Sequence, residues 1–332
     1  MECHDETLFI IVHQVYELWF KQIIHELNSI LELFEQTFIE EKELGTAVSR
    51  LERIIKIQDM LVKQLTVMET LTPMDFLEFR DLLVPASGFQ SVQFREIDMK
   101  LGLDSAKRHP IDREMFMGRL NKTDLNHLQK VEQRPSLFLL VEAWLERLPF
   151  TANKVFDFWK AYKKSVDEML KSDQAIIRSN SMLTPVQMEM QLKNFETTKM
   201  TFESLLEESS HQNLIKTGER RLSQKATLNA LFILLYRDEP ILFQPFKFIT
   251  ALMDIDENFT TWRQRHAIMA QRMLGTKIGT GGSSGHEYLK RAAEEHRIYN
   301  DLFNLSTFLI PRSKLPKLPE NLKKNLNFFQ AP

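Results

Sequence analysis

From Glu6 to Gln36 the apolar side chains recur at three- and four-residue steps, through Phe9, Val12, Tyr16, Phe20, Ile23, Leu27, Ile30 and Phe34. That spacing is the period of one helix face, and it returns along nearly the whole chain. It predicts further helices over about Thr46–Leu71, Ser136–Arg147, Ala152–Leu170, Pro185–Leu206, Gln224–Tyr236, Phe246–Thr276 and His286–Phe303. Thr72-Pro73 reads as an N-cap and first helical residue, opening a short helix through Leu83. The run from Pro85 to Gly88 breaks the chain, and a helix restarts toward Lys100. Asp104 to Arg134 reads as polar and irregular. No alternating strand run, fixed-period repeat or long linker is present. The expected architecture is all-α: one large helical domain over residues 1–312, then a proline-containing tail over 313–332.

A length of 332 residues is enough for one sizeable core. The formal net charge of −2 offers no electrostatic reason to invoke nucleic acid or an anionic membrane. The single cysteine, Cys3, excludes an intramolecular disulfide and fits a reducing compartment. No basic segment followed by an apolar one opens the sequence, so no signal peptide is expected. The apolar stretch Leu8–Val12 meets His13 and Gln14 long before membrane-spanning length. The expected location is the cytoplasm.

Glycine is scarce here, ten residues in all, yet Gly279, Gly281, Gly282 and Gly285 fall together. Because an interior glycine costs roughly 0.5–1 kcal/mol relative to alanine, such a cluster marks a backbone that must turn sharply or approach something closely. A phosphate-binding Walker loop would end in Gly-Lys-Ser/Thr, which Ser284-Gly285-His286 does not supply. A dinucleotide fingerprint would need a preceding strand, whereas Met269 to Ile278 continues a helical pattern. The loop therefore suits closure over a ligand that is not a nucleotide.

His266 lies on the stripe Ile255, Phe259, Trp262, His266, Met269 and Met273, one helix face. A histidine among aromatics and methionines is either a hydrogen-bonded core residue or a ligand. No second histidine or cysteine stands at i+3 or i+4. Zinc would need several protein ligands, while haem iron takes one proximal histidine and the porphyrin supplies the rest. His13, one turn from Phe9 and from Glu17, is either a packed helix-face histidine or a site residue. A di-iron bundle would need two Glu-x-x-His motifs; only Glu208–His211 fits, in a polar stretch expected to be exposed. Arg80 sits among Phe79, Leu82 and Leu83, so part of its stem should be buried and its fork needs an anion. That anion is a ligand carboxylate or an internal acid such as Glu78 or Asp81. Ser87-Gly88 sets a hydroxyl and a bare backbone nearby.

These residues fall within longer blocks: His4–Gln22, Asp75–Ser91, Leu252–Asp256, Trp262–His266, Gly279–Gly285 and Asp301–Arg312. In content, order and spacing the chain resembles the tryptophan 2,3-dioxygenase family, part of the haem dioxygenase superfamily that includes indoleamine 2,3-dioxygenase. The resemblance implies a helical fold with a haem pocket between long helices and one haem b per subunit. It implies O2 insertion across the indole C2–C3 bond of L-tryptophan, giving N-formyl-L-kynurenine, the first step of tryptophan catabolism by the kynurenine pathway. Position by position, it makes His266 the axial haem ligand and His13 the distal histidine facing the indole N–H. Phe9 and Phe76 become walls of the indole pocket, and Arg80 the grip on the substrate carboxylate. Thr280 becomes the closing-loop contact to the ammonium, and Ser87 with Gly88 the turn lining the pocket.

Members of that family carry a further N-terminal segment that reaches a neighbouring subunit and sets a tyrosine beside its substrate. This sequence starts three residues before His4, so the expectation is a pocket short of one aromatic wall. The expected assembly is a homo-oligomer, most simply a tetramer built as a dimer of dimers, with Phe20, Ile23, Leu27 and Phe34 as candidate contact faces.

Overall fold

The computed structural model describes residues 3–83, 90–103, 116–118, 120–149, 157–275, 277 and 285–326. Among them every regular element is helical and none is a strand, as the periodicity predicts. No helix among them is long and apolar enough to cross a membrane. They form two compact units, one from Met1–Leu140 with Thr250–Tyr299, the other from Val141–Ile249 with Asn300–Pro332.

The first unit is built on α1 (Glu6–Phe34) and α2 (Glu41–Met68). They run antiparallel: Tyr16 Oη donates to the Leu61 carbonyl, Arg53 pairs with Glu26 at 2.7 Å, and Arg50 donates to the Ser29 carbonyl. Ile23, Leu27 and Ile30 on one helix and Leu51 and Ile54 on the other are wholly buried. Each such side chain contributes about 1.5–3 kcal/mol. Phe20 and Phe34 are buried with them. The expectation that this stripe forms a subunit contact is therefore corrected, because the chain's own core consumes it.

Thr72 caps α3 (Pro73–Phe79), accepting from the Asp75 N–H while the Asp75 carboxylate returns to the Thr72 backbone. A single 3-10 turn, Arg80–Leu83, follows. α4 (Val92–Leu101) ends at Gly102, whose φ of 105° is the left-handed conformation that stops a helix. A Cβ there would sit 2.5 Å from Phe138 Cβ, so both the turn and the packing require glycine. α5 (Lys122–Glu132) and α6 (Leu137–Arg147) come next. The segment read as irregular thus contains an eleven-residue helix, opened by Asn121 accepting from the Asp124 N–H.

The second unit centres on α7 (Phe158–Ser179) and α8 (Pro185–Leu206), then α9 (Glu208–Lys216) and α10 (Gln224–Leu235). Phe158, Phe232 and Tyr236 pack ring on ring, and the Asp301 carboxylate accepts from the Arg221 and Leu222 N–H groups. His211, expected to be exposed, has no accessible surface. Its Nε2 meets the Leu222 carbonyl at 2.9 Å, and Arg220 donates to its Nδ1. Helix α9 folds this side chain inward because Arg220 and a backbone carbonyl satisfy both of its nitrogens.

α11 (Phe243–Leu274) returns to the first unit from Thr250 onward. One helix was expected over His286–Phe303; instead α12 (Gly285–Glu295) stops and α13 (Asn300–Asn304) starts afresh. Asp256 makes the break, its carboxylate accepting from the N–H groups of Ile298 and Tyr299 at 3.1 Å. Beyond residue 312, α14 (Glu320–Leu326) buries Leu322 and Leu326.

Candidate active site

A cavity of about 270 Å³ opens in the first unit, lined mainly by apolar and aromatic side chains. Helical spacing delivers its walls. On α1, Phe9, His13 and Tyr16 follow at four and three residues and so share one face. On α11, Trp262, His266 and Met269 do the same. The capped α3 presents Phe76, and the first residue of the next turn is Arg80. All of these line the cavity.

The phenylalanines form a three-ring wall: Phe9 lies 5.7 Å from both Phe76 and Phe79, and Phe76 meets Phe79 edge-on at 5.5 Å. Beside it, the His13 ring meets Phe9 at a tilt, centroids 4.2 Å apart, and its Nδ1 lies 2.7 Å from the Phe9 carbonyl. A carbonyl only accepts, so Nδ1 donates to it, and in the neutral tautomer Nε2 is the acceptor. Glu17, one turn from His13, accepts from Gln93 Nε2 at 2.6 Å.

His266 is only part-buried as a residue, yet its Nδ1 is sealed from solvent and finds no hydrogen-bond partner among the described residues. Burial, and secondarily the charge of His13, lowers its pKa to about 4. At neutral pH the ring is therefore an uncharged imidazole. Trp262 packs on it with ring centroids 5.0 Å apart.

A charged end closes the cavity. Arg263, almost fully buried, donates to Asp98 at 2.8 Å and to the His296 carbonyl at 3.1 Å, and Arg95 stands 3.6 Å from Asp98. These residues, with Tyr16 as a polar group, were not singled out from the sequence. Arg263 and Asp98 are 165 positions apart, and no local pattern announces such a pair.

The family model described as tryptophan 2,3-dioxygenase matches residues 1–309. The chain belongs to the tryptophan 2,3-dioxygenase family. It is 50% identical to the tryptophan 2,3-dioxygenase of Alteromonas mediterranea over 326 residues, covering 98% of this chain and 90% of that protein. Identity to the Dictyostelium discoideum tryptophan 2,3-dioxygenase is 45% over 326 residues, 98% of this chain and 82% of the other. The Danio rerio protein named tryptophan 2,3-dioxygenase B is 43% identical over 323 residues, 97% and 79% of the two chains.

Membership raises the question of whether the residues fit a haem, and they do. No group of three or more His, Cys, Asp or Glu able to hold a metal ion exists among the described residues. Iron held here must bring most of its ligands with it, as a porphyrin does. His266 offers what such a group needs from the protein: a neutral imidazole in an apolar cavity, with no hydrogen bond to give up. Of the residues the family resemblance pointed to, Phe9, His13, Phe76, Arg80 and His266 converge on this cavity. Ser87, Gly88 and Thr280 lie outside the described residues.

Proposed function

We propose that this member of the tryptophan 2,3-dioxygenase family uses haem b, one per subunit, to add both atoms of O2 to L-tryptophan. The indole C2–C3 bond breaks, two carbonyl groups form, and the product is N-formyl-L-kynurenine. Haem, when bound through His266, supplies the activation of O2; the chain supplies position and electrostatics.

Phe9 and Phe76 form the wall against which the indole packs and orient its C2–C3 bond toward the haem side of the cavity. Arg80 grips the substrate carboxylate with its planar fork. The Nε2 lone pair of His13 accepts the indole N–H. A neutral indole N–H is a very weak acid, so His13 orients the ring rather than removing a proton. Thr280 contacts the substrate ammonium, and Ser87 with Gly88 lines the pocket; both assignments rest on the family resemblance. The apolar lining keeps bulk water from the reacting edge. We place the enzyme in the cytoplasm as a homotetramer, a dimer of dimers.

The observation that carries this reading is the meeting of His266 and His13, from helices more than 200 residues apart in sequence, in one aromatic cavity. The test is spectroscopic and chemical. Protein supplied with haem should show a histidine-ligated Soret band and convert L-tryptophan to N-formyl-L-kynurenine, one O2 consumed per turnover. His266→Ala should lose stable haem binding. A full-occupancy, histidine-type spectrum in that variant would overturn the assignment.

A further inference from the structure

A histidine that ligates a metal almost always donates its other ring N–H to a carboxylate, a carbonyl or a water, and that bond fixes the ring. No protein group among the described residues accepts from His266 Nδ1. The contact that these residues do give the ring is packing. The ring one helical turn before it, Trp262, provides that contact.

An indole can itself pivot unless its N–H is held. Trp262 Nε1 donates to Tyr16 Oη at 3.3 Å, and Tyr16 donates its own proton to the Leu61 carbonyl at 2.6 Å. Chemistry sets both directions, because an indole N–H only donates and a carbonyl only accepts. The hydroxyl thus joins α2 to α11 through α1. Phe94 packs on Trp262 with centroids 5.2 Å apart, and the Tyr16 ring stands 6.0 Å from it.

We infer that Tyr16 is a positioning residue for the haem-binding histidine, acting through Trp262: its hydroxyl fixes the indole, and the indole fixes the His266 ring. The inference rests on His266 being the axial ligand. It gives α1 two tasks from residues three apart on one face, His13 toward the substrate and Tyr16 toward Trp262.

A double-mutant cycle tests it, with Tyr16→Phe, Trp262→Phe and the double variant in the full-length haem protein. The readouts are haem transfer to excess apomyoglobin and the iron–histidine stretching band in the resonance Raman spectrum of the reduced protein. Each single variant should lose haem about tenfold faster, with a shifted or broadened band, and the double variant should match the singles. In the apoprotein, Tyr16→Phe should speed hydrogen exchange at the Trp262 indole N–H. If Tyr16 served only to tie α1 to α2, Trp262→Phe would leave haem release unchanged or the two effects would add; either result overturns the inference. So would unaltered indole exchange in Tyr16→Phe. Absence of the iron–histidine band from the wild-type protein would overturn the ligand assignment and this inference with it. Its presence with unchanged variants overturns this inference alone.

Discussion

Arg80 shows how one residue can separate substrate recognition from architecture. It is half-buried at the cavity wall, at the first position of the turn that follows α3. Replacing it with leucine keeps an apolar stem and removes the charged fork. Arg80→Leu should cost about 2–5 kcal/mol in kcat/KM for L-tryptophan. For tryptamine, which lacks the carboxylate, the loss should be much smaller; equal losses for the two would assign Arg80 to an internal acid. The aromatic-flanked positions of His13 and His266 are visible in helical periodicity, but their reading as site residues, with Phe9 and Phe76 as walls, comes from the family resemblance. Arg263 with Asp98, and Tyr16 with the Leu61 carbonyl, were not legible, because each partner is supplied by a distant element.

At the scale of the element, the strongest sequence signals were caps. Thr72-Pro73 opens α3 where the sequence places it, and the Thr72 hydroxyl and Asp75 carboxylate close a reciprocal pair. Thr72→Ala should lower stability by about 1 kcal/mol in urea denaturation. Because α3 carries Phe76, the variant should also raise KM for L-tryptophan more than it lowers kcat; an unchanged KM would show that the wall holds without the cap. Helix α5 escaped notice for a physical reason: Leu128 is its one buried residue, too little to make an apolar stripe. The single helix expected over His286–Phe303 failed for another. The local pattern continues through that region, and only Asp256, some 42 residues away, captures the N–H groups that end it.

For the whole molecule, the pH response is informative. His211 is buried and neutral, with its pKa lowered from 6.5 chiefly by burial. The unfolded chain therefore binds more protons than the folded one as pH falls. The stability His211 contributes is complete above about pH 6.5 and is lost as pH drops toward the folded-state value. His211→Gln, which keeps a donor for the Leu222 carbonyl, should lose less stability than the wild type between neutral and mildly acidic pH. Parallel curves of unfolding free energy against pH would show that His211 does not titrate in this way. The sequence by itself determined the all-helical class, most helix positions, the family and the aromatic-flanked histidines, because periodicity, caps and motifs are local properties of the chain. Only the tertiary structure decided that the apolar face of α1 is core rather than contact surface, that His211 points inward, and that Tyr16 meets the Trp262 beside His266. Burial and hydrogen-bond satisfaction depend on groups that are far apart in sequence and meet only when the helices pack.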